Sequence, residues 1–399
     1  MSLYSASPAN IYGGTTAVTS TATGFFRTEQ VDGRQWLITP DGHGFFSLGL
    51  NHAEETDLKY PHNHHVWNER YGSRSTWIQE GPLRDLTAYG FNTLGWTQQW
   101  VAGDYEIDAD WMNRIDLRHS QGWSAHELRN ARLPYVQTLR FAEIENWNGN
   151  PGFPDVFSTD FQDYCDHLAR RICAEHRDDD RLIGYFFIDI PSWLPHASGR
   201  NFPGLEGLAP AAYERRLFDI ARKYYEVTTA SVRNADPDHL ILGDRYNGNK
   251  GIPEVVLQAA TPHIDVLSIQ YFPGSTDEAL QRMRDDLAGW AEATGKPVIL
   301  ADVGNSAPTQ LHARRWDGLA DQTERADNYI NAFDAVIHEP WLTGWHWCGY
   351  VENPVRGWGL KNHLDEPYRE LVEPITAYNH AVHQRITRTT VHALSEKDA

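Results

Sequence analysis

Residues 183–193 read IGYFFIDIPSW, an apolar, β-rich strand that empties into a polar loop tipped by Trp193. Seven other runs have the same form: GFFSLGL (44–50), FNTLGW (91–96), YVQTLRF (135–141), LILGDRY (240–246), VLSIQYF (266–272), PVILADVG (297–304) and LTGWHWCGY (342–350). Each is followed by a polar loop and then by a segment of helical periodicity. In TDFQDYCDHLARRICAEH (159–176), for example, apolar positions fall three and four residues apart, as an amphipathic helix requires. Eight repeated βα units predict an α/β fold whose parallel strands close as a (β/α)8 TIM barrel. Such barrels carry their chemistry where strands end and βα loops begin, so the last one or two residues of each run are the ones to inspect.

The 399 residues suit one barrel, a fold that usually takes about 250 residues and tolerates long insertions. Ahead of it, GFFRTEQVDGRQWLITPDGHG (24–44) has two turn signals, Asp32-Gly33 and Asp41-Gly42, and is expected to form a small β-hairpin element. Residues 1–24 are expected as a flexible lead-in, 25–385 as a single catalytic barrel with its hairpin, and 386–399 as a polar C-terminal tail. With 54 acidic against 35 basic residues the formal charge is −19, which argues against nucleic acid and anionic membranes as partners. The first residues have neither the basic start nor the apolar run of a secretory signal, and no stretch approaches the roughly 18 apolar residues of a membrane span. Cys165, Cys173 and Cys348 show no CxxC spacing, which argues against a disulfide framework or a thiolate zinc site and fits a reducing cytoplasm. A chain of this kind can also self-associate as a homo-oligomer. No nucleotide-binding glycine motif or serine-hydrolase elbow is present, and no organic cofactor is expected. The histidines of PHNHH (61–65) lack the helical or hairpin spacing and the carboxylate of a zinc site, so no metal is expected and the cluster is read as a lid loop that contacts substrate.

Aromatic residues make up 12% of the chain, 15 of them Trp, and flat apolar rings suit the CH faces of sugars. Cleaving a glycosidic bond takes two carboxyl groups: one protonates the leaving oxygen, while the other attacks the anomeric carbon or activates water. Asp189 closes strand four and Asp302 stands in ILADVG of strand seven. An acid at the end of a buried strand is costly unless it is hydrogen-bonded or used. The bland alternative is a structural Asp that caps a helix or pairs with Arg245. Glu143 follows strand three, Asp244 ends strand five and Glu352 follows strand eight; these are expected as sugar-hydroxyl ligands or loop braces, with a smaller claim to be the proton donor. Asn51 and His52 follow strand one, where side chains either reach a sugar hydroxyl or form a hydrogen-bonded pair behind the residues that do, and Gln270 ends strand six. Trp96, Trp100, Trp193, Tyr246, Tyr271, Trp345 and Trp347 lie at strand ends or just beyond. Two or three of these rings are expected to stack on sugars and the others to be wall or core.

Several stretches, in order along residues 25–380, resemble the β-agarases of glycoside hydrolase family 50. They are WLITPDGHGFFSLGLNH (36–52), GFPDVFSTDF (152–161), the frame set by Gly184-Tyr185 and Ser192-Trp193, DPDHLILGDRY (236–246), GKPVILAD (295–302), and GWHWCGY with GLKNHLDEPYRELV (344–372). The resemblance implies a retaining (β/α)8 hydrolase whose strand four ends in Asn-Glu, the Glu as acid/base, and whose strand seven ends in a Glu nucleophile. On this chain the Asn falls on Asp189, the acid/base on Ile190 and the nucleophile on Asp302. Ile190 has no proton to give. Asp302 is one methylene shorter than Glu, which sets its carboxylate about 1.5 Å further from the sugar. A displaced and a shortened carboxyl group favour a separation beyond the roughly 5–5.5 Å of a retaining pair, toward the roughly 6.5–9.5 Å that admits a water and gives inversion. The expectation is a cytoplasmic glycoside hydrolase that removes a terminal sugar from a short oligosaccharide. Asp302 would be its nucleophile or general base, and Asp189 the acid or a clamp on a sugar hydroxyl. A carbohydrate-binding pseudoenzyme, or an anhydro-sugar-forming lyase or intramolecular transglycosidase, is the alternative.

Overall fold

The computed structural model describes residues 10–59, 63–97, 122–142, 154–189, 191, 193, 204–311, 313, 318–352 and 357–397. Four short strands come first: β1 (Thr15–Thr19), β2 (Arg27–Val31), β3 (Arg34–Ile38) and β4 (His43–Phe45), an antiparallel sheet in the order β1-β4-β3-β2. Asp32 and Gly33 turn β2 into β3 with φ of 51° and 80°, the left-handed pair that a two-residue hairpin turn needs. β1 lies within the residues expected as a flexible lead-in. It pairs with β4, and just ahead of it Tyr12 is buried with its hydroxyl donating to Asp180 at 2.6 Å. The β-branched TTAVT becomes a strand through a partner distant in sequence, which local reading does not see.

Eight parallel strands follow: β5 (Ser47–Asn51), β6 (Thr93–Leu94), β7 (Tyr135–Thr138), β8 (Leu182–Asp189), β9 (Leu240–Asn247), β10 (Leu267–Gln270), β11 (Val298–Val303) and β12 (Leu342–Cys348). Each pairs with its neighbours and β12 closes on β5, so the fold is a (β/α)8 TIM barrel carrying a small N-terminal β element. Among the described residues, short helices α1 (Thr56–Lys59), α2 (His64–Arg70), α3 (Arg74–Ile78), α4 (Arg84–Ala88) and α5 (Ala125–Ala131) lie between β5 and β7. The later connections hold α6 (Thr159–His176), α7 (Pro210–Ala235), α8 (Glu254–Ala260), α9 (Asp277–Thr294) and α10 (Gln322–Asp334), and α11 (Arg369–Lys397) ends the chain. In α6 the buried face is Phe161, Cys165, Leu168, Ala169 and Cys173, the three-and-four spacing of the sequence, and Ser158 caps it by accepting from the Phe161 amide. α11 runs on through most of the stretch expected as a polar tail. No helix of the described residues is long and apolar enough to cross a membrane.

The antiparallel sheet stoppers the N-terminal end of the barrel. Tyr12, Phe26, Leu37 and Phe45 share one apolar cluster with barrel residues such as Ile183, Leu240, Leu242 and Ile299. Arg34 reaches from β3 to donate to the carbonyl of Leu342, where β12 begins. The opposite end, where strands run out, is left for polar chemistry.

Candidate active site

Slips in strand register decide which side chains enter the barrel. Alternation alone would put Leu240, Leu242 and Asp244 on one side of β9, and the first two do join the apolar base. Beyond them the register shifts: Tyr185 pairs with Ile241 but Phe186 pairs with Gly243, which holds a φ of 66°. The extra residue reverses the parity, as a β-bulge does. Arg245 therefore turns inward, while Asp244 and Tyr246 face α7. Two further slips act in the same way. β8 takes three steps from Phe186 to Asp189 while β9 takes two from Gly243 to Arg245, and β11 takes two from Leu300 to Asp302 while β10 takes one from Ile269 to Gln270.

The inward side chains form one hydrogen-bonded cluster. Arg245 donates to Asp189 Oδ1 through Nε at 2.9 Å and Nη2 at 2.7 Å, and Nη2 stands 3.7 Å from Asp302 Oδ2. The guanidinium lies over the ring of Trp96, 3.5 Å from its centroid, where the aromatic face attracts a cation. Asn51 donates to Asp302 Oδ1 and Gln270 to Asp302 Oδ2, each at 2.7 Å. Asn51 also accepts from the amide of Trp96, so this one side chain joins the ends of β5, β6 and β11. His52 holds a φ of 54° with its Nδ1 3.0 Å from Glu54 Oε1. A ring nitrogen of His52, a carboxylate oxygen of Asp302 and the sulfur of Cys348 lie within 4.8 Å of one another.

Charge follows from this arrangement. Burial pushes the Asp302 carboxyl up, but the Arg245 charge, with His52 and the Gln270 and Asn51 hydrogen bonds, outweighs burial and holds the group below its ordinary range. Asp302 is therefore an anion at neutral pH with both oxygens held. His346, fully buried and bonded to Ser47 at 2.9 Å, is pushed down to about 3 by burial and then by Arg245, which leaves it neutral.

No family model matches this chain. Two curated proteins of Vibrio sp. (strain JT0107) align with it at 22% identity: β-agarase B over 471 residues and β-agarase A over 482, covering 90% and 93% of this chain. The crystal structure of the agarase AgWH50C superposes with a TM-score of 0.72 at 18% identity, covering 95% of this chain and 66% of that one. An exo-β-agarase structure gives 0.72 at 18%, covering 94% and 67%. By sequence and by fold this chain is agarase-like. It spans about half the length of the curated relatives it matches, 48% and 47%.

In this agarase-like chain the cluster gathers Asn51, His52, Trp96 and Gln270 around the two aspartates and Arg245. Sequence offers Arg245 as a pairing partner for either aspartate; the structure sets it against both. The available signal was Gly243 inside an apolar run, which marks a bulge. Other expected contacts are turned away. Asp244 accepts from the hydroxyls of Tyr224 at 3.0 Å and Tyr225 at 2.6 Å and from Trp193 Nε1 at 3.2 Å, while Tyr246 bonds to Tyr225. With Trp193 stacked on Tyr225, these residues make an aromatic layer between barrel and α7. Tyr271 donates to Asp286 of α9, Trp345 stacks on Phe333 of α10 at 3.9 Å, and Trp347 meets Tyr329 edge-on. For the strand-end residues among them one cause holds: a residue next to an inward-facing one points to the helix layer. Glu352 accepts from the His363 backbone at 3.3 Å and braces the loop after β12. Trp100, Glu143 and Ile190 lie outside the described residues, as does His62 of the PHNHH cluster.

Proposed function

We propose that this agarase-like chain is a glycoside hydrolase that removes a terminal sugar from a short oligosaccharide, with Asp302 as the carboxylate that attacks the anomeric carbon or activates water. The anchoring of Asp302 carries this reading. Two amide donors hold its oxygens and a guanidinium maintains its charge, which fixes an anion in one orientation at the end of a barrel strand. Asp189 is the second member of the pair, acting as a clamp through Arg245 or on a sugar hydroxyl. An oxygen that already accepts two guanidinium N–H groups is poorly placed to donate a proton.

The separation of the pair bears on stereochemistry. Oδ1 of Asp189 and Oδ2 of Asp302 flank the same Nη2 at 2.7 and 3.7 Å, so they stand no further apart than those two distances end to end. That bound lies above the roughly 5–5.5 Å of a retaining pair and at the edge of the roughly 6.5–9.5 Å of an inverting one, so it selects neither outcome, and the inversion expected from sequence passes to the test below. Three buried cysteines, none in a disulfide, support a reducing compartment, and with it small imported sugars over polymers.

The test is sugar release from agaro-oligosaccharides and a panel of aryl glycosides, comparing the wild type with Asp302→Asn. The expected result is turnover in the wild type, a loss of about 10³-fold in kcat in the variant, and a first-formed anomer, read by NMR, that is opposite to the substrate's for inversion and matches it for retention. Binding without turnover by the wild type across the panel would overturn the reading in favour of a carbohydrate-binding protein.

A further inference from the structure

We propose that His52, Asp302 and Cys348 form a binding site for a thiophilic divalent cation, zinc in the first instance. Their ligand atoms are one nitrogen, one oxygen and one sulfur, all within 4.8 Å of one another. Zinc takes such ligands at about 2.0–2.3 Å, so with Asp302 held by Asn51 and Gln270, small rotations of His52 and Cys348 bring the three onto one ion and leave a fourth position for water. The mixed donor set selects against magnesium and calcium, which take oxygen ligands. The sequence reading set thiolate zinc aside for want of CxxC spacing. Here the ligands come from three strand ends instead, with Asn51 of β5 paired to Cys348 of β12 and His52 the next residue.

Two independent features support the site. First, His52 Nδ1 faces Glu54 Oε1 at 3.0 Å, and both side chains are largely buried. A carboxylate on one imidazole nitrogen is the usual support for a metal on the other, because it fixes the tautomer and the orientation of the ring. Second, the charge is favourable: the carboxylates of Asp189, Asp302 and Glu54 outnumber the single Arg245 guanidinium. Binding forms metal–nitrogen, metal–oxygen and metal–sulfur bonds and releases the Cys348 thiol proton to solvent, with no change in oxidation state. A metal on Asp302 occupies the oxygen that would meet the sugar, so zinc inhibits; that consequence, unlike the binding itself, rests on the proposed function.

Cobalt(II) is the probe, since a thiolate ligand gives it a charge-transfer band in the near ultraviolet. Titration of the full chain is expected to saturate at one equivalent, with the band abolished by zinc and by Cys348→Ser but kept in Cys165→Ala and Cys173→Ala. Glu54→Gln is expected to weaken affinity about 10–100-fold. Should Cys348→Ser fail to fold by circular dichroism, His52→Gln carries the same test and is expected to weaken cobalt binding at least as much as Glu54→Gln. No stoichiometric cobalt uptake, a band that survives Cys348→Ser, or one that depends on His64 instead of His52 would overturn the site. Cobalt binding at the site without zinc inhibition of sugar release would support the site and overturn the role given to Asp302.

Discussion

Arg245 stands between two buried carboxylates, and its removal has opposite effects on two measurable quantities. Arg245→Met leaves Asp189 and Asp302 facing each other with no cation, and breaking a buried pair from one side costs about 3–5 kcal/mol. Urea unfolding would read that loss. The same change removes the main charge holding the Asp302 carboxyl low, so the acidic limb of the pH–rate profile is expected to move to higher pH. For stability the sign is fixed by linkage: the folded carboxyl of Asp302 lies below its unfolded value of about 3.9. Its contribution is complete above that value and is lost as pH falls through the folded one. The buried, hydrogen-bonded place of Asp302 at a strand end was legible in the sequence, because a lone acid ending an apolar run is costly unless its oxygens are met. Arg245 was legible as a pairing partner but not as the group that serves both aspartates, because which way it points depends on the parity of β9.

Strands were legible where their apolar character sufficed, and all eight barrel runs became strands. What each strand aims inward was not, since a bulge is a relation between two strands and neither sequence carries it alone. Gly243 tests this. Its φ of 66° and the 2.8 Å that a Cβ would leave to Ile264 Cγ2 make Gly243→Ala strained, by about 1–3 kcal/mol. The variant is expected to lose activity beyond what its unfolding midpoint explains, because Arg245 is re-aimed. Asp244→Ala should behave in the opposite way. It removes the acceptor shared by Tyr224, Tyr225 and the Trp193 indole, at about 0.5–1.5 kcal/mol or more for each hydrogen bond lost, while kcat/KM stays close to wild type. A reading by residue type would reverse those two outcomes, since Asp244 is the catalytic-looking residue of the pair. Trp345 and Trp347 teach the same lesson: aromatic strand ends looked like sugar platforms, yet the partners that claim them, Phe333 and Tyr329, arrive from a helix.

For the molecule as a whole, acid stability is set in part by imidazoles that fold neutral. Burial pushes His346 down to about 3 and His176, bonded to Tyr135, down to about 4. Unfolded histidine titrates near 6.5, so below that pH the unfolded chain binds protons that the native protein refuses. Stability is expected to decline as pH falls from about 6.5 toward about 4, before carboxylates titrate in bulk. Melting temperature against pH measures it, and His176→Gln should flatten the slope. The stoppered base of the barrel has a kinetic corollary. The base is packed with Ile183, Leu240, Leu242 and Ile299, so under the proposed function a freed sugar and an incoming substrate meet the same residues on the strand-end face. Added product is therefore expected to compete with substrate outright, raising the apparent KM and leaving the maximal rate where it was.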